Sequence, residues 1–158
     1  MSRCRKAALL CVAAALASFT PAVARGACNV TATGISFPPY TSFAALPTTG
    51  TGTVSVACDE VAPPNVTVTL TAGSSGSYAA RTLRGGTGGS GTLNYNVFTT
   101  SGMTTVWGDG SGGSAPVLLH RVRKNEGARV ATLYGRIPAG QNVPVGTYAD
   151  SLTATILW

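Results

Sequence analysis

Charge is scarce in this chain. Asp, Glu, Lys and Arg make up 10% of its 158 residues, the acidic ones number five, and there is one histidine, His120. A histidine-dependent triad or a multi-histidine metal site would have to be built around that single imidazole, which stands beside a basic cluster and reads as a surface residue. The carboxylates Asp59, Glu60, Asp109, Glu126 and Asp150 fall in turn or loop contexts, which leaves no evident pair for acid–base work. Residues 109–114 (DGSGGS) look like part of a calcium loop but lack the acidic ligands at alternate positions and the closing glutamate. Aromatics are 7% of the chain, and they do not interleave with a basic stripe as a single-stranded nucleic-acid groove requires. The sequence therefore predicts no enzyme, no cofactor, no metal and no nucleic-acid partner.

Long apolar runs are also missing, with one exception that is too short to span a bilayer, which takes about 20 residues. It covers residues 7–19, follows Arg3, Arg5 and Lys6, and precedes Ala22-Val23-Ala24. A basic start, an apolar stretch of this length and an A-x-A site are the parts of an export signal. Cleavage is expected between Ala24 and Arg25, so that residues 1–24 form a leader and residues 25–158 a single domain without a membrane span. The leader removes Cys4, Cys11 and three of the eleven basic residues. What remains is mildly basic, with eight cations against five acids, and its one basic cluster, Arg121-Val122-Arg123-Lys124, is expected in a solvated loop. Cys28 and Cys58 also remain. An even pair in an exported chain reads as one disulfide, because two cysteines and one histidine cannot complete a four-ligand zinc site.

Glycine and proline, by contrast, are plentiful, at 20 and 9 residues. They punctuate short β-rich runs, with strands expected at 29–37, 52–58, 66–72, 93–98, 104–107, 129–137 and 148–158. Val54, Val56 and Cys58 alternate with Thr53, Ser55 and Ala57, and Val66, Val68 and Leu70 alternate with Thr67, Thr69 and Thr71. That is the pattern of strands buried on one face. No helical period lasts three turns. The chain reads as an all-β sandwich.

The last run sets Tyr148, Leu152, Ala154, Ile156 and Trp158 against Ala149, Ser151, Thr153 and Thr155, and only Leu157 breaks the alternation. A sandwich is expected to follow such a strand with a turn and a closing strand. None follows, so this edge is expected to need a strand from another chain.

Several short stretches occur in a telling order. Cys28 comes first and Cys58 ends a V-x-V-x-C strand. Then come Arg81-Thr82-Leu83, the segment LNYNVF at 93–98, Val106-Trp107-Gly108-Asp109-Gly110, YGRIPAGQ at 134–141, and Gly146-Thr147-Tyr148-Ala149-Asp150. In these features the chain resembles the spore coat protein U domain family, which also builds the subunits of archaic (Csu-type) chaperone–usher pili. The resemblance implies an incomplete immunoglobulin-like β-sandwich lacking its final strand. A periplasmic pilus chaperone would lend that strand. At the outer-membrane usher, the N-terminal extension of another pilin-like subunit would replace it. The groove would lie between residues 28–37 and 148–158, lined by Leu152, Ala154, Ile156 and Trp158. A donating subunit of this kind carries about ten or more residues of alternating apolar sequence before its first cysteine. Here only Arg25, Gly26 and Ala27 precede Cys28 after the expected cleavage, which suits a fibre end, or a coat or surface protein that never polymerises in this way.

The expected function is thus a non-enzymatic structural or adhesive subunit, exported to the bacterial periplasm and then to the cell surface. The alternative is a stand-alone secreted coat or carbohydrate- or surface-binding module. It would use exposed loop aromatics such as Tyr40, Phe43 or Tyr78.

Overall fold

Strict alternation of β-branched and hydroxyl residues makes a strand with one dry face, and the fold is built on two of these. The computed structural model describes residues 28–58, 65–122 and 126–158. In it Val54, Val56, Val66 and Val68 are wholly buried, while Thr53, Ser55, Thr67 and Thr69 stay partly exposed on the opposite faces. Nine strands are formed: β1 (Cys28–Ser36), β2 (Thr48–Cys58), β3 (Asn65–Leu70), β4 (Arg81–Gly85), β5 (Gly91–Phe98), β6 (Val117–His120), β7 (Arg129–Ile137), β8 (Tyr148–Ala149) and β9 (Ala154–Leu157).

Every ladder between these strands is antiparallel. One sheet has the order β1-β2-β7-β5-β4-β8 and the other β6-β3-β9. Their inner faces share one core, in which Val54, Val56, Val66, Val68, Val97 and Trp107 are fully buried. Burying each such valine is worth about 1.5 kcal/mol or more. The Trp107 indole N–H is satisfied as well, donating to the Val68 carbonyl at 3.0 Å. Two antiparallel sheets over a single core, with no α-helix among the described residues, make an immunoglobulin-like β-sandwich.

Cys28 and Cys58 are register partners in the β1–β2 ladder and are joined by a disulfide, as expected. Further along, the ladder slips between Thr33 and Ser36. This bulge turns the end of β1 inward. Ile35 and Phe37 then lie over Gly135 of β7, where a Cβ would strike the Phe37 ring and come within 2.8 Å of Ile35 Cγ2.

Four expectations about strands need correction. Residues 104–107 are not a strand: Val106 bridges Phe98 and Trp107 bridges Ala115 as isolated pairs, because the chain curls back on itself there. β4 and β6 were not foreseen. The run at 148–158 is not continuous, since Tyr148 and Ala149 pair with β4 in the large sheet and 154–157 pair with β3 in the small one. The chain changes sheets in between. The expected leader over 1–24, its Ala24/Arg25 junction, Asp59, Glu60, Arg123 and Lys124 lie outside the described residues. No helix among those described is long and apolar enough to cross a membrane.

Candidate functional site

Among the described residues β1 pairs only with β2, and β9 only with β3. The two strands pack near one another across the sandwich without a ladder between them, so each turns one edge of free N–H and C=O groups to the seam. The seam widens into a cleft of about 1070 Å³. One wall is residues 32–40 and the other is residues 143–152 with Ala154, while Val54, Leu70, Leu83, Leu93, Leu133 and Ile137 form the floor. Every floor residue belongs to the core on its own strand. The cleft is therefore backed by core residues that are themselves buried, with Ile35, Phe37, Tyr148 and Leu152 packed against them.

Cys28, Val30 and Ile156 are partly buried against the core and do not line the cleft. Phe37 meets the Tyr95 ring edge-on, with centroids 6.2 Å apart. Tyr40 ties its loop to residue 141 by accepting from the Gln141 N–H at 2.7 Å. The Gln141 side chain behaves like a peptide group: its Oε1 accepts from the Asn94 N–H at 2.7 Å and its Nε2 donates to the Asn94 carbonyl at 2.9 Å. In this way it extends the β5–β7 contact beyond Ile137.

Asp150 stands where the chain changes sheets. Its Oδ1 accepts from the backbone N–H groups of Ser74 and Ser151, both at 2.9 Å, and its Oδ2 accepts from the Tyr95 hydroxyl at 2.7 Å. Partial burial works against ionisation. The hydrogen bonds from Ser74, Tyr95 and Ser151 outweigh it and hold the carboxyl below its ordinary range. Burial, reinforced by the bond to Asp150, pushes the Tyr95 phenol well above its usual range, so it remains a donor.

Behind the floor lies a buried polar network. Arg81 is completely buried. It donates from Nη1 to Asn96 Oδ1 at 2.8 Å, from Nη2 to the carbonyls of Thr71 at 2.8 Å and Trp107 at 2.7 Å, and from Nε to Thr71 at 3.2 Å. Its guanidinium also sits 5.2 Å from the centre of the Tyr78 ring. Asn96 Nδ2 donates to the Tyr78 carbonyl at 2.8 Å, and the Tyr78 hydroxyl donates to the Leu70 carbonyl at 2.9 Å. β3, β4, β5 and the Trp107 segment are thereby bound to one cation, and no described side-chain N or O atom is left buried and unpartnered.

The residues expected to line a groove divide. Leu152 and Ala154 line the cleft. Ile156 is half-buried against the core and Trp158 is 52% exposed; neither lines the cleft. Among the aromatics considered for a binding surface, Phe43 is 97% exposed, whereas Tyr40 and Tyr78 are held inward by the bonds above. His120 is exposed, with Nδ1 2.9 Å from Asn65 Oδ1. Asp109 closes a local turn by accepting from the N–H and hydroxyl of Ser111 at 2.8 and 2.6 Å, as its sequence context implied. Sequence reasoning passed over Asp150 and Gln141, although Asp150 has the same even parity as Leu152 and Ala154.

The profile of the spore coat protein U domain matches residues 13–155. The chain belongs to the spore coat protein U domain family. Within it, "Protein U" of Myxococcus xanthus is 36% identical over 113 residues, covering 68% of this chain and 59% of that protein. Among solved structures, a chain of the CsuC–CsuE chaperone–tip adhesion subunit pre-assembly complex, from archaic chaperone–usher Csu pili of Acinetobacter baumannii, superposes with a TM-score of 0.57. The identity there is 17%, over 85% of this chain and 40% of the other, so the likeness is one of fold. The family member described here spans less than two thirds of either relative.

Proposed function

We propose that this spore coat protein U domain is a non-enzymatic subunit of a chaperone–usher surface fibre, and that its cleft is an acceptor for a β-strand from another chain. The observation that carries the reading is the unpaired seam. β1 and β9 have no ladder between them, and an added strand would gain main-chain hydrogen bonds along their edges and apolar contacts in the cleft beside them. An exposed edge of this kind invites aggregation unless it is covered. Export through the inner membrane, capture by a periplasmic chaperone, and exchange at an outer-membrane usher for a neighbouring subunit follow from this reading. So does a final place at the cell surface. The resemblance in fold to a subunit–chaperone complex supports it.

The reading is tested by folding the chain with and without a strand. Residues 25–158 refolded alone are expected to aggregate or to unfold at low denaturant. The same chain refolded with a synthetic apolar-alternating peptide, or with such a strand fused after Trp158 through a short glycine turn, is expected to be monomeric and to unfold cooperatively. A stable, cooperative monomer without any added strand overturns the proposal.

A further inference from the structure

Among the described residues that line the cleft, Asp150 is the one that carries a charge. Tyr148, Leu152, Ala154 and Ile156, at even positions like Asp150, are all partly buried, and the odd positions between them are exposed. Asp150 is thus an inward-pointing charge on the segment that borders the opening, a feature by which natural sheets restrict what can pair with an edge.

The carboxylate is held in place. Three hydrogen bonds, from Ser74, Ser151 and Tyr95, bind it to two other parts of the fold, and the chain at Gly73 packs so closely that a Cβ there would collide with Asp150 and Leu152. A carboxylate offers about four acceptor directions, so one stays open. The nearby cations do not neutralise it by direct pairing. Arg81 is committed to Asn96, Thr71 and Trp107. Arg84 borders a separate shallow pocket with Asp150 and Ser74 and does not line the cleft. The hydrogen bonds also keep the group ionised at neutral pH.

We propose that Asp150 fixes the register of the strand that enters the cleft: at the inward position facing it, the strand carries a basic or hydroxyl side chain and never an acidic one. This rests on the strand-acceptor reading above. Because a one-residue slip turns every side chain of a strand to the other face, one charged position among apolar pockets suffices to distinguish registers. It also discriminates between partners, since a strand with an acid there brings two like charges together in a partly dry site.

The test uses the full mature chain and a set of synthetic strand peptides of alternating apolar sequence. In this set lysine, serine or glutamate is placed at each inward position in turn, and capture during refolding is quantified by the dissociation constant. At one inward position the lysine peptide is expected to bind about fivefold or more tighter than the glutamate peptide, the scale of a partly exposed charge pair, with serine in between. Asp150→Asn is expected to keep binding the serine peptide and to lose the lysine–glutamate difference, while Arg84→Gln keeps the difference. Equal binding of lysine and glutamate peptides at every position, or a preference that survives in Asp150→Asn, overturns the register role and leaves the acceptor reading standing. If no peptide of any composition is captured, the acceptor reading falls and this inference falls with it.

Discussion

Arg81 and Asn96 meet inside the sandwich, with Nη1 donating to Oδ1 at 2.8 Å. Among the described residues the cation has no carboxylate within ion-pair distance. Its remaining bonds run to main-chain carbonyls of Thr71 and Trp107. The segments that contain Arg81, Asn96 and Trp107 thus meet at one buried guanidinium. Asn96→Leu is expected to leave part of that charge unpaired and to cost about 3 kcal/mol or more. The double variant Arg81→Met/Asn96→Leu is expected to cost clearly less than the two single changes added together, because it removes the stranded charge. Denaturant unfolding of the strand-complemented chain measures both, and simple additivity would refute the coupling.

The disulfide closes a loop between residues 30 apart. On the chain-entropy account, removing it with Cys28→Ser/Cys58→Ser is expected to lower stability by about 3 to 4 kcal/mol. Mass spectrometry of exported protein without reductant should find both thiols blocked. Two free thiols on most molecules would contradict the bond.

The parts of the fold legible in the sequence are those where one residue type repeats with period two. Val54-x-Val56-x-Cys58 and Val66-x-Val68-x-Leu70 announce their strands because hydroxyl residues mark the wet face. β6 has Leu118 and Leu119 side by side, so apolar content alone cannot say which faces in; Leu118 is 48% exposed. β4 places Arg81 inward, and a charge at a core position reads as a loop until its acceptors are known. The last run looked continuous because the alternation persists through Asp150, while the switch of sheets depends on hydrogen bonds from Ser74 and Tyr95, distant in sequence. Of the residues expected to line a groove, Leu152 and Ala154 line the cleft and Ile156 packs on the core.

Position within the last segment should decide tolerance. Ile156→Asp puts an unpaired charge against the core, at a cost of about 2 kcal/mol or more. Thr155→Asp, on the exposed face, is expected to change stability by less than about 0.5 kcal/mol, and Trp158→Ser, half exposed, to have a similarly small effect. Leu152→Asp is expected to abolish capture of a strand peptide. Equal tolerance of Ile156→Asp and Thr155→Asp would show that the inward face is misassigned.

Acid should weaken the link between Asp150 and its donors. The folded-state carboxyl lies below its ordinary range, so its contribution is fully present above the usual carboxylate value near pH 4 and is lost as pH falls through the lower folded value. Wild type is therefore expected to exceed Asp150→Ala in stability at pH 7, with the gap closing as acid protonates the carboxyl. Tyr95→Phe, which removes one bond to the carboxylate, should move the acid limb toward higher pH. An acid limb identical in wild type and both variants would exclude Asp150 as its source.

Assembly should run in one direction. If the leader is removed between Ala24 and Arg25, three residues stand before Cys28, and Cys28 is itself bound to β2 by its ladder and disulfide. Three extended residues reach about 10 Å, short of an ordinary strand of five to six residues, so this subunit is expected to accept a strand and not to donate one. Amino-terminal sequencing of exported protein fixes the junction. Mixed with a family member that bears a long apolar-alternating extension, the chain should give one-to-one pairs that survive gel filtration, and by itself it should give no ladder of heat-sensitive multimers. Long homopolymers of the native chain, or a junction well upstream of Ala24, would overturn the one-sided model while leaving the acceptor cleft intact.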